Sequence, residues 1–372
     1  KEQPVHILTY YDITLITSGE GEFLIDHQAN RVKPQVLVAV VMTACQSSRK
    51  ELKVLQFNIW QEGTSVENGY WGIVDNIVEL SPDLITFSEV RNYNGISFIS
   101  RLVTDLEKRG MRYYGKESVS TGILSKYEIQ SQEVVFPLKN DRGSVIKAMF
   151  QIEGEEIVLY SAHLDWMNCS YYLPRGYDGC TWKKMKQPVV DVDSILADNK
   201  ASFRDDEVRA IVEDARKERE HGRIVMIGGD FNEPSHLDWQ ADTKDIREHR
   251  GMVVNWDCSK ILIEDGYKDT FREIYPNPVI YPGFTFPTNN IEVDLKKLTW
   301  APEADDRERI DFIYYYPNKA VALKDVRIVG AEGAILYGER IERDKDSQDS
   351  FIAPAGTWPS DHKALLATFV LK

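Results

Sequence analysis

Arg223-Ile224-Val225-Met226-Ile227-Gly228-Gly229-Asp230-Phe231-Asn232 is the stretch around which this chain is organised. Four apolar residues in a row, Ile224 to Ile227, predict a strand buried on both faces. The two glycines are expected to end that strand, to let the backbone turn sharply and to leave room for something to approach. Asp230 and Asn232 stand at i and i+2, so both side chains point to the same side of an extended chain. A carboxylate and a carboxamide at the end of a buried strand make a poor core and a good polar site. Taken alone, the stretch reads first as an Asx turn, with Asp230 and Asn232 bonding nearby backbone. The other strand ends change that reading.

The chain has 372 residues, enough for one large or two ordinary domains, and its 42% hydrophobic and 11% aromatic content can fill a core. With 45 Lys+Arg against 59 Asp+Glu the formal net charge is −14, which disfavours unspecific adhesion to nucleic acid or anionic membrane. No apolar run has the length of a membrane span. Four cysteines, Cys45, Cys169, Cys180 and Cys258, are too few for a disulfide scaffold. Cys169 and Cys180 lie close in sequence, and an oxidising compartment would allow them to pair.

The first 35 residues are expected to form an added hairpin unit. Val5 to Tyr10, Ile13 to Ile16 and Gly19 to Ile25 read as short strands with a glycine turn, and they resemble the first strands of a cupin arm. In residues 36–50, Val36 to Cys45 is an apolar run preceded by Arg31 and Lys33. It resembles the apolar region and lipobox of a bacterial lipoprotein signal, with Cys45 as the lipidated residue. That resemblance implies an extracytoplasmic, lipid-anchored protein in the periplasm or at the outer membrane. Otherwise the run is a buried strand and the protein is expected in the cytoplasm.

Residues 51–372 form the expected catalytic domain. Strands are predicted at Val54–Trp60, Leu84–Val90, Tyr113–Lys116, Thr121–Leu124, Gln132–Pro137, Ser144–Ile152, Ile157–His163, near Phe284, and at Ile310–Tyr316, Val321–Val329 and Leu365–Leu371. Helices are predicted at Tyr70–Leu80, 95–109 and Phe203–Glu220, and residues 166–200 read as a long loop. The pattern points to an α/β (α+β) domain with a two-layered sheet core flanked by helices.

Polar residues gather at the predicted strand ends: Asn58, Glu89, His163 with Asp165, Asp230 with Asn232, Asp311, and Asp361 with His362. One such residue is commonly a turn. Six such ends are costly to bury unless their groups meet and satisfy one another. Acidic and amide oxygens without a cysteine cluster suit a hard cation rather than structural zinc. Histidines beside carboxylates suit acid–base work or charge neutralisation.

Phe57-Asn58, Ser88-Glu89-Val90, Gly122-Ile123-Leu124-Ser125, Ser161-Ala162-His163-Leu164, Gly229-Asp230-Phe231-Asn232, Arg309-Ile310-Asp311-Phe312-Ile313 and Ser360-Asp361-His362 together resemble the ordered motifs of the endonuclease/exonuclease/phosphatase superfamily. The superfamily includes deoxyribonuclease-I-like nucleases, abasic-site endonucleases, neutral sphingomyelinases and inositol-phosphate phosphatases. The resemblance implies a four-layered sandwich, two packed mixed β-sheets flanked by helices, and metal-dependent hydrolysis of a P–O bond. It implies Mg2+, with Mn2+ or Ca2+ as alternatives, held by Glu89 with Asn58 and Asp361. It assigns the attacking water to Asp230, a phosphate oxygen to Asn232, and the scissile phosphate to His362 oriented by Asp311. His163 would donate to a phosphate oxygen or to the leaving group. The roles of Asp230 and His362 as base stay open, and Asp165 is as easily structural.

The loop after His163 is expected to hang over the site. In it Arg175 and Lys183 are candidates to clamp phosphate, and Tyr177 to touch substrate, although most of the loop's aromatics are expected to pack it on the body. Lys183-Lys184-Met185-Lys186 is thin for a DNA groove. The leading expectation is therefore a phosphoesterase acting on a small or lipid-linked phosphate ester. Nucleic acid is a possible but disfavoured partner, and the alternatives are an exported nuclease or a binding protein that keeps the fold without turnover.

Overall fold

Ile224–Asp230 is a strand to its last residue in the computed structural model, so both glycines lie inside it rather than at a turn. Their role is close approach. A Cβ on Gly228 would sit 2.3 Å from Thr86 Oγ1 on the opposing sheet, and one on Gly229 would sit 2.5 Å from the carbonyl oxygen of Ala162 on the neighbouring strand. The Thr86 hydroxyl is itself held by Gln56 Oε1 at 2.6 Å, so it cannot easily step aside. Gly228→Ala is expected to cost about 1–3 kcal/mol, the usual penalty of overpacking, read as a lower urea midpoint at unchanged slope.

The structure describes residues 21–25, 28–32 and 50–372. The chain divides into two compact units, Lys1–Lys50 and Glu51–Lys372. In the first, β1 (Gly21–Ile25) and β2 (Gln28–Val32) pair antiparallel, Gly21 opposite Val32. The strands expected at Val5–Tyr10 and Ile13–Ile16 and the run ending at Cys45 lie outside the described residues.

The second unit continues with β3 (Glu51–Asn58), α1 (Gly69–Leu80), β4 (Leu84–Val90), α2 (Phe98–Lys108), β5 (Tyr114–Gly115), β6 (Ser120–Ser125), β7 (Ser131–Phe136), β8 (Ser144–Ile152) and β9 (Glu155–His163). Then follow α3 (Val192–Asn199), α4 (Arg204–Glu220), β10 (Ile224–Asp230), α5 (Asp257–Glu264), β11 (Lys268–Asp269) and α6 (Thr270–Ile274). The C-terminal part adds β12 (Asp311–Tyr315), β13 (Val321–Val329), a hairpin of β14 (Ala334–Leu336) and β15 (Glu339–Ile341), β16 (Phe351–Ile352) and β17 (Ala364–Leu371). One sheet runs β16-β13-β17-β3-β4-β6-β5 and the other β11-β12-β10-β9-β8-β7.

Strand parity assembles the layers. Leu52 and Val54 of β3, Leu84 of β4, Leu159 of β9 and Met226 of β10 meet between the two sheets. Leu55, Phe57, Ile85 and Phe87 face α1 and α2. Val158, Tyr160, Val225 and Ile227 face α4 and α5. The result is the expected helix–sheet–sheet–helix sandwich. Two details differ from the sequence reading. Residues 166–200 hold a short 3-10 turn, Ser170–Arg175, and helix α3, because Tyr171, Tyr172, Leu173 and Ile195 bury into a satellite core with Trp239 and Trp256. Near Phe284 there is no strand, only an isolated bridge between Phe286 and Glu308.

Within α4, Glu207 is buried: Oε2 accepts from Asp165 N at 2.9 Å while Oε1 has no hydrogen-bond partner. Burial pushes its carboxyl up to about 8. The folded chain therefore holds a proton that the unfolded chain releases at ordinary carboxylate pH. That stabilisation is complete in acid and is lost as pH rises towards 8. Against Glu207→Gln, the wild type is expected to lose stability from pH 5 to 8, by at most about 1.4 kcal/mol per pH unit. Parallel pH–stability curves for the two proteins would contradict this.

Candidate active site

β3 and β4 run parallel, as do β9 and β10, whereas β12 and β17 run antiparallel to their neighbours β10 and β3. The C-terminal ends of the first four and the N-terminal ends of the last two thus share one edge of the sandwich. Asp230 lies opposite both His163 and Asp311 in its ladders, and Asn58 lies opposite Ser88. Asp361 and His362 immediately precede β17. Open sheets characteristically place ligands outside the carboxyl ends of parallel strands.

Along each strand the inward side chains change from apolar to polar at this edge: Leu52, Val54, then Gln56, Asn58; Leu84, then Thr86, Ser88; Ile157, Leu159, then Ser161, His163. These polar groups satisfy each other across the gap. Gln56 Nε2 donates to Ser88 Oγ at 3.2 Å and to Asp311 Oδ1 at 3.3 Å, and Asp230 N donates to Ser88 Oγ at 3.2 Å. Gln56, Ser88, Thr121 and Ser161 form the floor of the site. The sequence reading passed over them as strand interior, although the period-2 spacing of Gln56 with Asn58 and of Ser161 with His163 is visible in the sequence.

Above this floor, Asn58 Nδ2 bridges the sheets, donating to Asp230 Oδ2 at 2.8 Å and to Glu89 Oε1 at 3.2 Å. Parity alone would aim Glu89 outward with Phe87. Its left-handed φ of 70° and the bulge between Ser88 and Val90 swing it to the rim instead, where Oε2 accepts from Gln61 N at 2.9 Å. His362 Nδ1 donates to Asp311 Oδ2 at 2.9 Å, and its Nε2 lies 3.9 Å from Asp230 Oδ2. Burial acts to neutralise His362, but Asp311, Asp230 and Asp361 outweigh it and hold the imidazolium at about 10. Burial and the Asp311 carboxylate push Asp230 up to about 7. Burial, opposed by His362 and reinforced by Glu89, does the same to Asp361.

On the other wall, burial and then Arg91 and His362 press His163 down to about 3, so it is neutral. Its Nδ1 meets Ser120 Oγ at 2.9 Å. Ser120 is buried and holds a left-handed φ of 68°. With the Ser120 hydroxyl donating to Nδ1, the N–H of the neutral ring falls on Nε2. Ser120→Ala is expected to lower kcat about 10-fold or more with KM little changed, because the tautomer is no longer fixed. Equal losses with good and poor leaving groups would show a merely structural role.

Asn232 combines both readings of the opening stretch. Its N donates to Asp230 Oδ1 at 2.9 Å, the Asx turn, and its Nδ2 donates to Leu164 O at 3.0 Å, which engages the amide nitrogen and not the amide oxygen. Asp165 is structural: Arg142 binds it through two bonds of 2.9 and 2.6 Å, and Phe203 N and Met167 N complete its shell. The clamp expected of Arg175 does not form. Its side chain is fully buried and paired to Glu308 at 2.7 Å. Tyr177 is buried too, its hydroxyl accepting from Glu303 N at 3.1 Å. Lys183 alone of the three is exposed. Cys169 and Cys180 are free thiols.

The donor set fits a divalent metal. Glu89, Asp230, Asp311 and Asp361 face a single imidazolium, and Asp361 Oδ1 is buried without a hydrogen-bond partner. Oxygen donors with surplus negative charge suit a hard cation. Donor atoms of Asp230, Asp311 and His362 also lie within 4.8 Å of one another. There, however, His362 Nδ1 is already engaged by Asp311, whereas the unsatisfied oxygen is on Asp361. Glu89 and Asp361 therefore fit a cation better than that trio, whereas the ligand role expected of Asn58 is not met: its Nδ2 faces Glu89 and its Oδ1 accepts from Trp60 N at 2.9 Å.

Paired sheets carrying such an edge define a metal-dependent hydrolase of ester bonds. The family model described as the Endonuclease/Exonuclease/phosphatase family matches residues 55–362, and the chain belongs to that family. A Caenorhabditis elegans relative, "Uncharacterized protein F14F9.5", is 30% identical over 294 residues, spanning 76% of this chain and 85% of its own. Among solved structures, D. rerio TDP2 complexed with a single-strand DNA product is 16% identical, with 86% of this chain and 99% of that chain covered at a TM-score of 0.49. The human Nocturnin catalytic domain with bound sulfate is 14% identical, with 87% and 96% covered at 0.49.

Proposed function

We propose that this metal-dependent hydrolase cleaves the P–O bond of a small or lipid-linked phosphate ester. The observation that carries the reading is the line Asp311–His362–Asp230, faced by the neutral His163. A divalent ion held by Glu89 and Asp361 would supply charge neutralisation at the phosphoryl oxygens. Asp230 is fixed by Asn58 and Asn232 and pushed up to about 7, the range in which a carboxylate takes a proton from water efficiently at neutral pH. The His362 imidazolium, oriented by Asp311, meets the charge that builds on the phosphoryl group. His163 presents Nε2–H to an ester or phosphoryl oxygen. Water adds to phosphorus as its proton passes to Asp230, the P–O bond to the alcohol breaks, and the departing oxygen, met by His163 Nε2–H, takes a proton from solvent while Asp230 returns its own to solvent.

Support for a small substrate is the net charge of −14, the burial of Arg175 away from the opening, and a cavity of about 260 Å3. Tyr70, Tyr93, Phe98 and Arg101 line that cavity, and it adjoins Glu89 through Gln61, which Tyr93 and Glu89 both bond. The export reading rests on residues 36–48 alone; loss of membrane attachment in Cys45→Ser would uphold it. A panel of small phosphate esters and a supercoiled plasmid, each with Mg2+ and with chelator, tests the function. Chelator-sensitive phosphate release is the expected result; plasmid nicking without it would overturn the proposal in favour of a nuclease.

A further inference from the structure

Three tryptophans that the chemistry does not use form one row. Trp166 and Trp182 stack with planes 14° apart and centroids 6.1 Å apart, and Trp182 meets Trp300 at 4.8 Å. Trp300 is 42% exposed, and Trp166 and Trp182 are partly exposed. The row is held rigidly. Trp182 packs against the satellite core, and Trp166 Nε1 donates to Asp141 O at 2.9 Å.

Both ends of the row are tied to segments that deliver the site. Trp166 lies three residues after His163, and its partner Asp141 is ion-paired at 2.5 Å to Arg91, two residues after Glu89. At the other end, Trp300 N donates to Asp306 Oδ2 at 2.8 Å, five residues before Asp311. The row therefore borders the mouth of the site between the ends of β9 and β12.

Along the row, Arg91 is paired to Asp141 and Lys184 to Glu303, so these two cations are already neutralised. A track for a nucleic-acid backbone needs cations free to meet phosphates. Indole faces beside paired charges suit an uncharged ring with polarised C–H bonds on one face and hydroxyls at its edge, because the face of an indole carries negative charge density.

We propose that Trp166, Trp182 and Trp300 form a binding platform for the sugar ring of a glycosyl phosphate, with Trp300 as its open end. This rests on the small-ester reading above and names the substrate class for it. Trp300 supplies one stacking face, so its removal is expected to change KM about 10-fold.

The test uses the full chain with Mg2+, the 1-phosphates of glucose, galactose, mannose and N-acetylglucosamine, and glycerol 3-phosphate as a ringless comparison. At least one sugar phosphate is expected to quench tryptophan fluorescence and to be preferred over glycerol 3-phosphate. Trp300→Ala is expected to shrink that preference about 10-fold through KM, and Trp300→Phe to restore most of it. The platform is overturned if no sugar phosphate quenches, if Trp300→Ala leaves the preference unchanged, or if oligothymidylate quenches where the sugars do not. Failure of hydrolysis with every ester would defeat the functional reading, while the fluorescence titration would still report on the platform by itself.

Discussion

His362→Asn is expected to lower kcat/KM about 10³-fold or more, with Asp311→Asn next and the double variant little worse than His362→Asn. The imidazolium sits between the carboxyls of Asp311 and Asp230, so its removal takes away a protein charge well placed to meet the developing phosphoryl charge. Loss of one preorganised donor to an oxyanion costs about 10²–10³ in kcat, and a misplaced proton adds to that. Asp311 acts through the ring: its bond to Nδ1 fixes the ring's orientation, helps to keep it protonated and holds Nε2 aimed at the space beside Asp230. Residues that act as one unit do not add when removed together. Because the carboxylates hold His362 at about 10, it stays protonated through neutral pH. The measurement is kcat/KM on one ester at saturating metal, with circular dichroism to confirm folding. A folded His362→Asn protein with a tenth or more of wild-type activity would remove His362 from the mechanism.

How far the sequence could be read follows from these residues. Strand ends were visible because period-2 alternation survives in the sequence. Asn58, His163 and Asp230 all continue the inward face set by Val54, Leu159 and Met226. The glycines were misread because their constraints lie on other strands, that of Gly228 on the other sheet and that of Gly229 on β9. Thr86 is 142 positions from Gly228, and nothing local announces that the two meet. Glu89 reads in the sequence as a strand-end metal ligand, yet its parity argues against a place at the rim. Only the left-handed φ of the bulge explains why it leaves the face of Phe87. Arg175 failed for the opposite reason. An arginine in a polar loop resembles a phosphate clamp until Glu308, 133 residues later, is found buried beside it. Ser120, a serine at a strand start, gave no signal, because its importance is the ring it touches. Pattern within a strand is legible; partners across the fold are not.

Glu89→Gln is expected to shift the half-saturating metal concentration upward by about 100-fold and to lower activity at ordinary metal levels about 10³-fold, with part of the loss recovered at high metal. The substitution keeps the shape of the side chain and the acceptor for Gln61 N while removing a charge that an oxygen-ligated cation needs. Stability gives a second readout. Without metal, Glu89 adds to the negative charge that raises Asp361, so Glu89→Gln should melt no lower than wild type in chelator. With metal, wild type gains stability by ligand linkage and the variant gains little. Asp361→Asn should behave likewise, because its unsatisfied buried oxygen is the other group awaiting a cation. Asp311→Asn is the control: it is expected to lose turnover but to keep the metal-induced rise in Tm. If Asp311→Asn abolishes that rise while Glu89→Gln retains it, the ion belongs among Asp230, Asp311 and His362, and the imidazole–carboxylate pair is a ligand set rather than catalytic machinery.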